Sequence, residues 1–317
     1  MAYRSKFLGD GRAVAELRRV AARLSGFPYP LLVSGETGCG KFELALWIHE
    51  SSPRALQPFV DVHCANLSDT LFESILFGHE RGAFTDARER HAGRIETAGR
   101  GTLLFDEIDC LDLRAQAKLL RFVDRRTYER VGGRETNKSS ASLIFTTNQD
   151  LWQMVEDGTF RSDLLARITW AVLRIPPLRD HPEDITFLAG RFLEEARCEF
   201  GTHPLRWSAS ALHLLQEYHW PGNIRELKSI VYVAAYLSGE SNVIEAADLA
   251  LLLNGRSHPS LTSTANGELS LAGARGDIER DVIVEALRRT EGNRVHAARL
   301  LKIARRTLQG KIAKYGL

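Results

Sequence analysis

Three stretches of this chain stand out, and two of them carry residue types that could act on a phosphate ester. The first is Gly35-Glu36-Thr37-Gly38-Cys39-Gly40-Lys41. Its glycines let successive backbone N–H groups converge on phosphate oxygens, the helix that follows adds the positive end of its dipole, and Lys41 reaches the outer phosphates. Phe42 stands where a magnesium-binding hydroxyl usually follows the lysine, so the metal must find its protein ligand elsewhere. The second stretch, Leu103-Leu104-Phe105-Asp106-Glu107-Ile108, supplies it: Asp106 is assigned to Mg2+ and Glu107 to activation of the attacking water.

These residues need rigid elements behind them. Short apolar runs at Leu31–Val33, Phe59–Val62, Leu103–Phe105 and Leu143–Phe145 alternate with helix-compatible stretches such as Phe42–His49. That alternation predicts an α/β fold with a mainly parallel sheet flanked by helices, extending over residues 1–177. Beyond Leu178 strand signals vanish. Apolar periodicity at Pro182–Phe200, Ser208–Tyr218 and Asn223–Leu237 predicts a helical subdomain over 178–253. Residues 254–276 are rich in Gly, Ser, Thr and Asn and read as a linker. Helical spacing resumes over 277–317, where Arg and Lys outnumber Asp and Glu two to one.

Composition narrows the class. With 317 residues, 44% hydrophobic and 26% charged, the chain has the make-up of an ordinary globular protein of two or three units. No stretch has the apolar length to cross a bilayer and Met1–Gly11 lacks an apolar signal core, so a cytoplasmic location and no membrane partner are expected. Cys39, Cys64, Cys110 and Cys198 are far apart without a CxxC pair, which fits neither a disulfide framework nor a zinc site. The net charge of +2 identifies no partner.

The third stretch is Phe77-Gly78-His79-Glu80-Arg81-Gly82-Ala83-Phe84-Thr85-Asp86-Ala87, between the other two. With it the chain resembles the AAA+ enhancer-binding activators of sigma-54 RNA polymerase, whose signature loop GAFTGA occupies this place. The resemblance extends to ERVGG (Glu129–Gly133), TTN (Thr146–Asn148), GTFRSDLLARI (Gly158–Ile168), PPLRD (Pro176–Asp180) and WPGNIREL (Trp220–Leu227). It covers residues 7 to 253, and the C-terminal helices resemble the family's Fis-type helix-turn-helix. It implies an AAA+ P-loop NTPase with a helical lid, using ATP and Mg2+. Gly35 to Phe42 and Arg225 would bind nucleotide, Arg225 as second sensor, while Thr147 and Asn148 match the first sensor of the γ-phosphate. Arg161 and Arg167 match arginines offered in trans by a neighbouring subunit. The implied assembly is a hexameric ring, with a dimer as a resting state. Gly82, Ala83, Phe84, Thr85, Asp86 and Ala87 would meet the sigma factor, with Phe84 and Thr85 as contacts.

The C-terminal sequence NRVHAARLLKIARRTLQGKIAKYGL matches the Fis-type form, leaving Arg305, Arg306, Thr307, Gln309 and Lys311 to face double-stranded DNA at an upstream site. Met1–Pro30 is too short for an independent sensor domain, so a separate regulatory protein is expected. Two positions depart from the family. His63 takes the place of the asparagine that switches the catalytic glutamate, and Asp86 replaces the second glycine of the signature loop. Three readings follow: a sigma-54 activator coupling ATP hydrolysis to promoter opening; an ATP-binding, DNA-binding regulator that does not act on sigma-54; and a hydrolysis-deficient partner in a mixed ring.

Overall fold

The computed structural model describes residues 7, 9, 11–66, 69–84, 87, 89–201, 205–238 and 241–254. Chain contacts separate Met1–Leu252 from Leu253–Leu317. Of the second unit, all beyond residue 254 lies outside the described residues, including the expected linker and helix-turn-helix.

The first unit is built on five parallel strands: β1 (Leu31–Ser34), β2 (Phe59–His63), β3 (Thr102–Asp106), β4 (Ser142–Thr147) and β5 (Ala171–Arg174). They lie in the order β2-β3-β4-β1-β5. The central strands β1, β3 and β4 are almost continuously apolar because both faces of the sheet are covered. Successive side chains still alternate between faces. Leu32, Leu103, Phe105, Leu143 and Phe145 enter one core, while Leu31, Val33, Leu104 and Ile144 enter the other.

Helices α1 (Arg12–Leu24) and α2 (Lys41–Glu50) supply Val14, Ala21, Leu44 and Ile48 to the second core. Helices α3 (Asp69–Phe77), α4 (Arg94–Ala98) and α5 (Leu113–Arg125) cover the first, together with α7 (Ser162–Ile168), which follows the short α6 (Leu151–Glu156). Each fully buried Leu, Ile or Phe contributes roughly 1.5–3 kcal/mol relative to exposure. Helix α5 starts at Asp112, whose carboxylate accepts from the Ala115 amide at 2.8 Å.

The four anticipated strand runs all fall within strands. The edge strand β5 and helix α1 are additions to that reading. The helical part comprises α8 (Pro182–Phe200), α9 (Ala209–Glu217), α10 (Asn223–Leu237) and a further α11 (Ala246–Asn254). Proline at the first turn and a left-handed Gly201 bound α8. Trp220 is fully buried between α9 and α10, and its indole N–H donates to the Leu215 carbonyl at 2.8 Å. No helix among the described residues is long and apolar enough to cross a membrane.

Candidate nucleotide site and partner loop

Strand β1 ends at Ser34 and hands the chain to a loop closed by Gly40, which is left-handed (φ +96°) and precedes α2. Gly38 is also left-handed (φ +79°), and a Cβ there would stand 2.3 Å from the Gly222 carbonyl oxygen. Only glycine fits so close to the helical subdomain. The Lys41 ammonium donates to the carbonyls of Gly35 (2.8 Å) and Glu36 (3.0 Å), which holds it at the mouth of the loop. Burial pushes the Cys39 thiol above its ordinary pKa. The Phe42 ring packs edge-on against Phe59 with centroids 5.8 Å apart, both partly buried against the second core.

The carboxyl ends of β2, β3 and β4 lie beside this loop. His63 and Asp106 are register partners. His63 Nδ1 is 3.3 Å from an Asp106 oxygen, and its Nε2 is 3.8 Å from Glu107. The Thr146 hydroxyl donates to Asp106 and accepts from the Glu107 amide at 3.0 Å. Glu107 is left-handed (φ +57°), a strained state for a side-chain-bearing residue of the kind that concentrates at functional sites. The Thr147 hydroxyl donates to Asp109 at 2.6 Å. Asn148 donates from Nδ2 to the Thr37 hydroxyl at 3.0 Å, while its buried Oδ1 has no partner. Lys41, Asp106, Glu107 and Asn148 thus belong to elements that meet at one end of the sheet, where open α/β sheets bind ligands.

Arg161 and Arg167 are engaged elsewhere. Arg161 forms a fork with Asp163 (3.0 and 2.7 Å), raising the guanidinium pKa and lowering that of the carboxylate. Arg167 pairs with Asp124 at 2.7 Å. Both pairs are solvent-exposed. The backbone of Arg161 is pinned by a residue that sequence reasoning did not single out, the fully buried Gln116. Its Oε1 accepts from the Arg161 amide (2.9 Å), and its Nε2 donates to the carbonyls of Leu111 (2.8 Å) and Thr159 (3.1 Å). Gln116 therefore joins the segment leaving Asp106-Glu107 to the loop carrying Arg161.

Arg225 enters through its backbone, whose amide donates to the Gly38 carbonyl at 3.3 Å. Asn223, fully buried and left-handed (φ +50°), donates from Nδ2 to Glu36 and to the Thr37 carbonyl, both at 3.1 Å. Its Oδ1 accepts from the Leu178 amide at 2.8 Å. Arg179 forks onto Glu36 at 2.9 and 2.6 Å. Neither Asn223 nor Arg179 was singled out from the sequence.

The signature loop leaves α3 through an antiparallel pair, Gly78–His79 with His91–Ala92. Arg130, from the ERVGG stretch, is nearly buried and bridges Glu80 (2.9 Å) and Glu96 (2.8 Å) at the base. Gly82 N–H donates to Ala87 O at 2.8 Å, Ala83 lies against Gly132, and Phe84 is half-exposed with its ring 4.9 Å from His79. Thr85 and Asp86 lie outside the described residues.

Comparison with known proteins decides the family. The model of the Sigma-54 interaction domain matches residues 7–174, that of the AAA+ ATPase lid domain residues 179–266, and that of the Fis family of bacterial regulatory proteins residues 274–315. The chain belongs to the sigma-54-dependent AAA+ activators. It is 37% identical over 316 residues to the transcriptional regulatory protein FlbD of Caulobacter vibrioides, covering 96% of this chain and 69% of that one. With the regulatory protein AtoC of Escherichia coli K12 the figures are 39% over 312 residues, 98% and 68%. NtrX from Brucella abortus, solved in complex with ATP, superposes with a TM-score of 0.73 at 28% identity, covering 98% of this chain and 69% of that one. As a sigma-54-dependent activator the chain is an ATPase with a Fis-type DNA-binding segment. Arg305, Arg306, Thr307, Gln309 and Lys311 fall within the Fis-family match and outside the described residues.

Proposed function

We propose that subunits of this activator form a hexameric ring, assembled from resting dimers, in which each ATP is bound by one protomer and completed by arginines of the next. The observation that supports this reading is the exposure of Arg161 and Arg167, which pair with Asp163 and Asp124 and with none of Lys41, Asp106, Glu107 and Asn148. The loop amides of Gly35 to Gly40 and Lys41 would hold the phosphates, and Arg225 would sense them from the lid. Mg2+ fits this donor set: it keeps several waters and needs only one or two carboxylates beside the phosphates, and Asp106 provides one. When bound, the ion would neutralise charge on the transferring phosphoryl group.

Glu107 orients and deprotonates the water, with His63 within reach to hold its carboxylate away until the γ-phosphate is sensed through Thr147 and Asn148. Exposed Phe84, with Thr85, then presses on the sigma factor of the polymerase, with Asp86 beside them. The α/β part (1–177), lid (178–253), linker (254–276) and DNA-binding segment (277–317) act in the cytoplasm, with the last held at an upstream DNA site. The position of His63 between both acids also favours a second reading, in which hydrolysis requires a mixed ring with a related activator.

Mixing variants tests the trans arrangement. Lys41→Ala and Arg161→Ala proteins, each inactive alone, should regain ATP turnover when mixed, because intact sites form at mixed interfaces. No recovery in rings that demonstrably mix would sink the reading. Absence of turnover in the unmodified protein would favour the mixed-ring alternative.

A further inference from the structure

The glutamate inside the phosphate loop is not free to face a ligand. Both Glu36 oxygens receive the Arg179 guanidinium, at 2.6 and 2.9 Å, and one also receives the Asn223 amide at 3.1 Å. The three residues come from three pieces of the molecule: the loop after β1, the connector between β5 and α8, and the first residue of α10. Asn223 adds bonds to the Thr37 carbonyl and the Leu178 amide, so one buried side chain ties loop, connector and lid together. Two residues further along α10 stands Arg225, whose amide meets the Gly38 carbonyl.

From this juxtaposition, and resting on the nucleotide reading above, we infer that Glu36, Arg179 and Asn223 form a latch that docks the lid on the phosphate loop, and that Arg179 acts as a positioning residue for nucleotide retention by neutralising Glu36. The electrostatics make the inference specific. A carboxylate within the loop opposes phosphate binding unless a cation compensates it, and a forked guanidinium is the best-matched compensation. The directions of the two ionisations agree: Arg179 holds the Glu36 carboxyl below its ordinary value, and Glu36 raises Arg179. Because the pair is 39% and 42% exposed, its loss should disturb the ligand more than the fold.

The two partners are therefore unequal. Arg179→Gln leaves an uncompensated negative charge beside the phosphates. Glu36→Gln removes that charge and keeps a group able to accept from Asn223. The test uses the full chain and a fluorescent ADP, measuring affinity and dissociation rate, with kcat for ATP and the unfolding midpoint in parallel. Arg179→Gln should weaken ADP about tenfold through faster dissociation, a coupling of ordinary size. Adding Glu36→Gln to it should restore affinity to within about threefold of the unmodified protein, and Arg179→Lys should fall between, since an ammonium lacks the fork. The unfolding midpoint should stay nearly constant across the set. A double variant as weak as Arg179→Gln or weaker overturns the inference, as does a loss that follows the unfolding midpoint. No ADP binding by the unmodified protein overturns the nucleotide reading and the latch with it.

Discussion

Gln116 offers the sharpest test of how the ATP site communicates with the arginine loop. Replacing it by leucine, of similar bulk, keeps the packing but strands the buried Leu111 carbonyl and two part-buried groups, the Thr159 carbonyl and the Arg161 amide. A buried group deprived of its partner costs about 1–3 kcal/mol, and small shifts recover part of the total, so a net loss of about 2–4 kcal/mol is expected. Against a typical stability of about 5–15 kcal/mol the protein stays folded. For the roughly 240-residue AAA+ part this lowers the unfolding midpoint by about 2–4 °C per kcal/mol. Activity should suffer more than binding. The Arg161 backbone loses its anchor, and a catalytic group displaced by about 1 Å costs roughly 100-fold. The nucleotide loop makes no hydrogen bond with Gln116, so ADP affinity should change less than about twofold, within ordinary additivity for separated sites. Thermal unfolding, fluorescent-ADP titration and steady-state turnover on one preparation read all three. Turnover that survives a loss of stability would refute the link between Gln116 and Arg161.

Three further outcomes follow. Trp220→Ala should cost about 3–5 kcal/mol through the cavity and the lost bond to Leu215, and denaturation of the lid should become separable from that of the sheet. The folded-state pKa of Glu36 lies below its ordinary 4.5, so its contribution to stability is complete above that value and is lost as pH falls through the lower folded-state value. Glu36→Gln should therefore sit only marginally below the unmodified protein in urea midpoint at neutral pH, since the pair is exposed, and the two should converge as pH falls. Under native conditions maleimide should label exposed Cys198 and spare Cys39 and Cys64, which are buried with raised pKa values; equal labelling of all would contradict the packing of the phosphate loop.

The central strands were legible because burial on both faces writes them as unbroken apolar runs. Strand β5 was not, since Leu173 is its only well-buried side chain and Val172 is exposed at the sheet edge. Helix α1 escaped for a similar reason: it buries only Val14 and Ala21 amid arginines. Residues 35–41 and 106–107 were readable because their chemistry depends on neighbours in sequence. Gln116, Arg179 and Asn223 act across 45, 143 and 187 residues, on Arg161 and on Glu36. Nothing local marks such a side chain as part of a site, and only the fold brings its partner to it.

The central claim is that ATP hydrolysis by this chain opens sigma-54 promoters, and a purified open-complex assay tests it most directly. With sigma-54 polymerase, an upstream binding site and ATP, promoter melting should appear, should vanish with Glu107→Gln, and should persist or increase with Asp86→Gly. Melting that is absent with ATP, or that occurs equally with Glu107→Gln, would contradict the account.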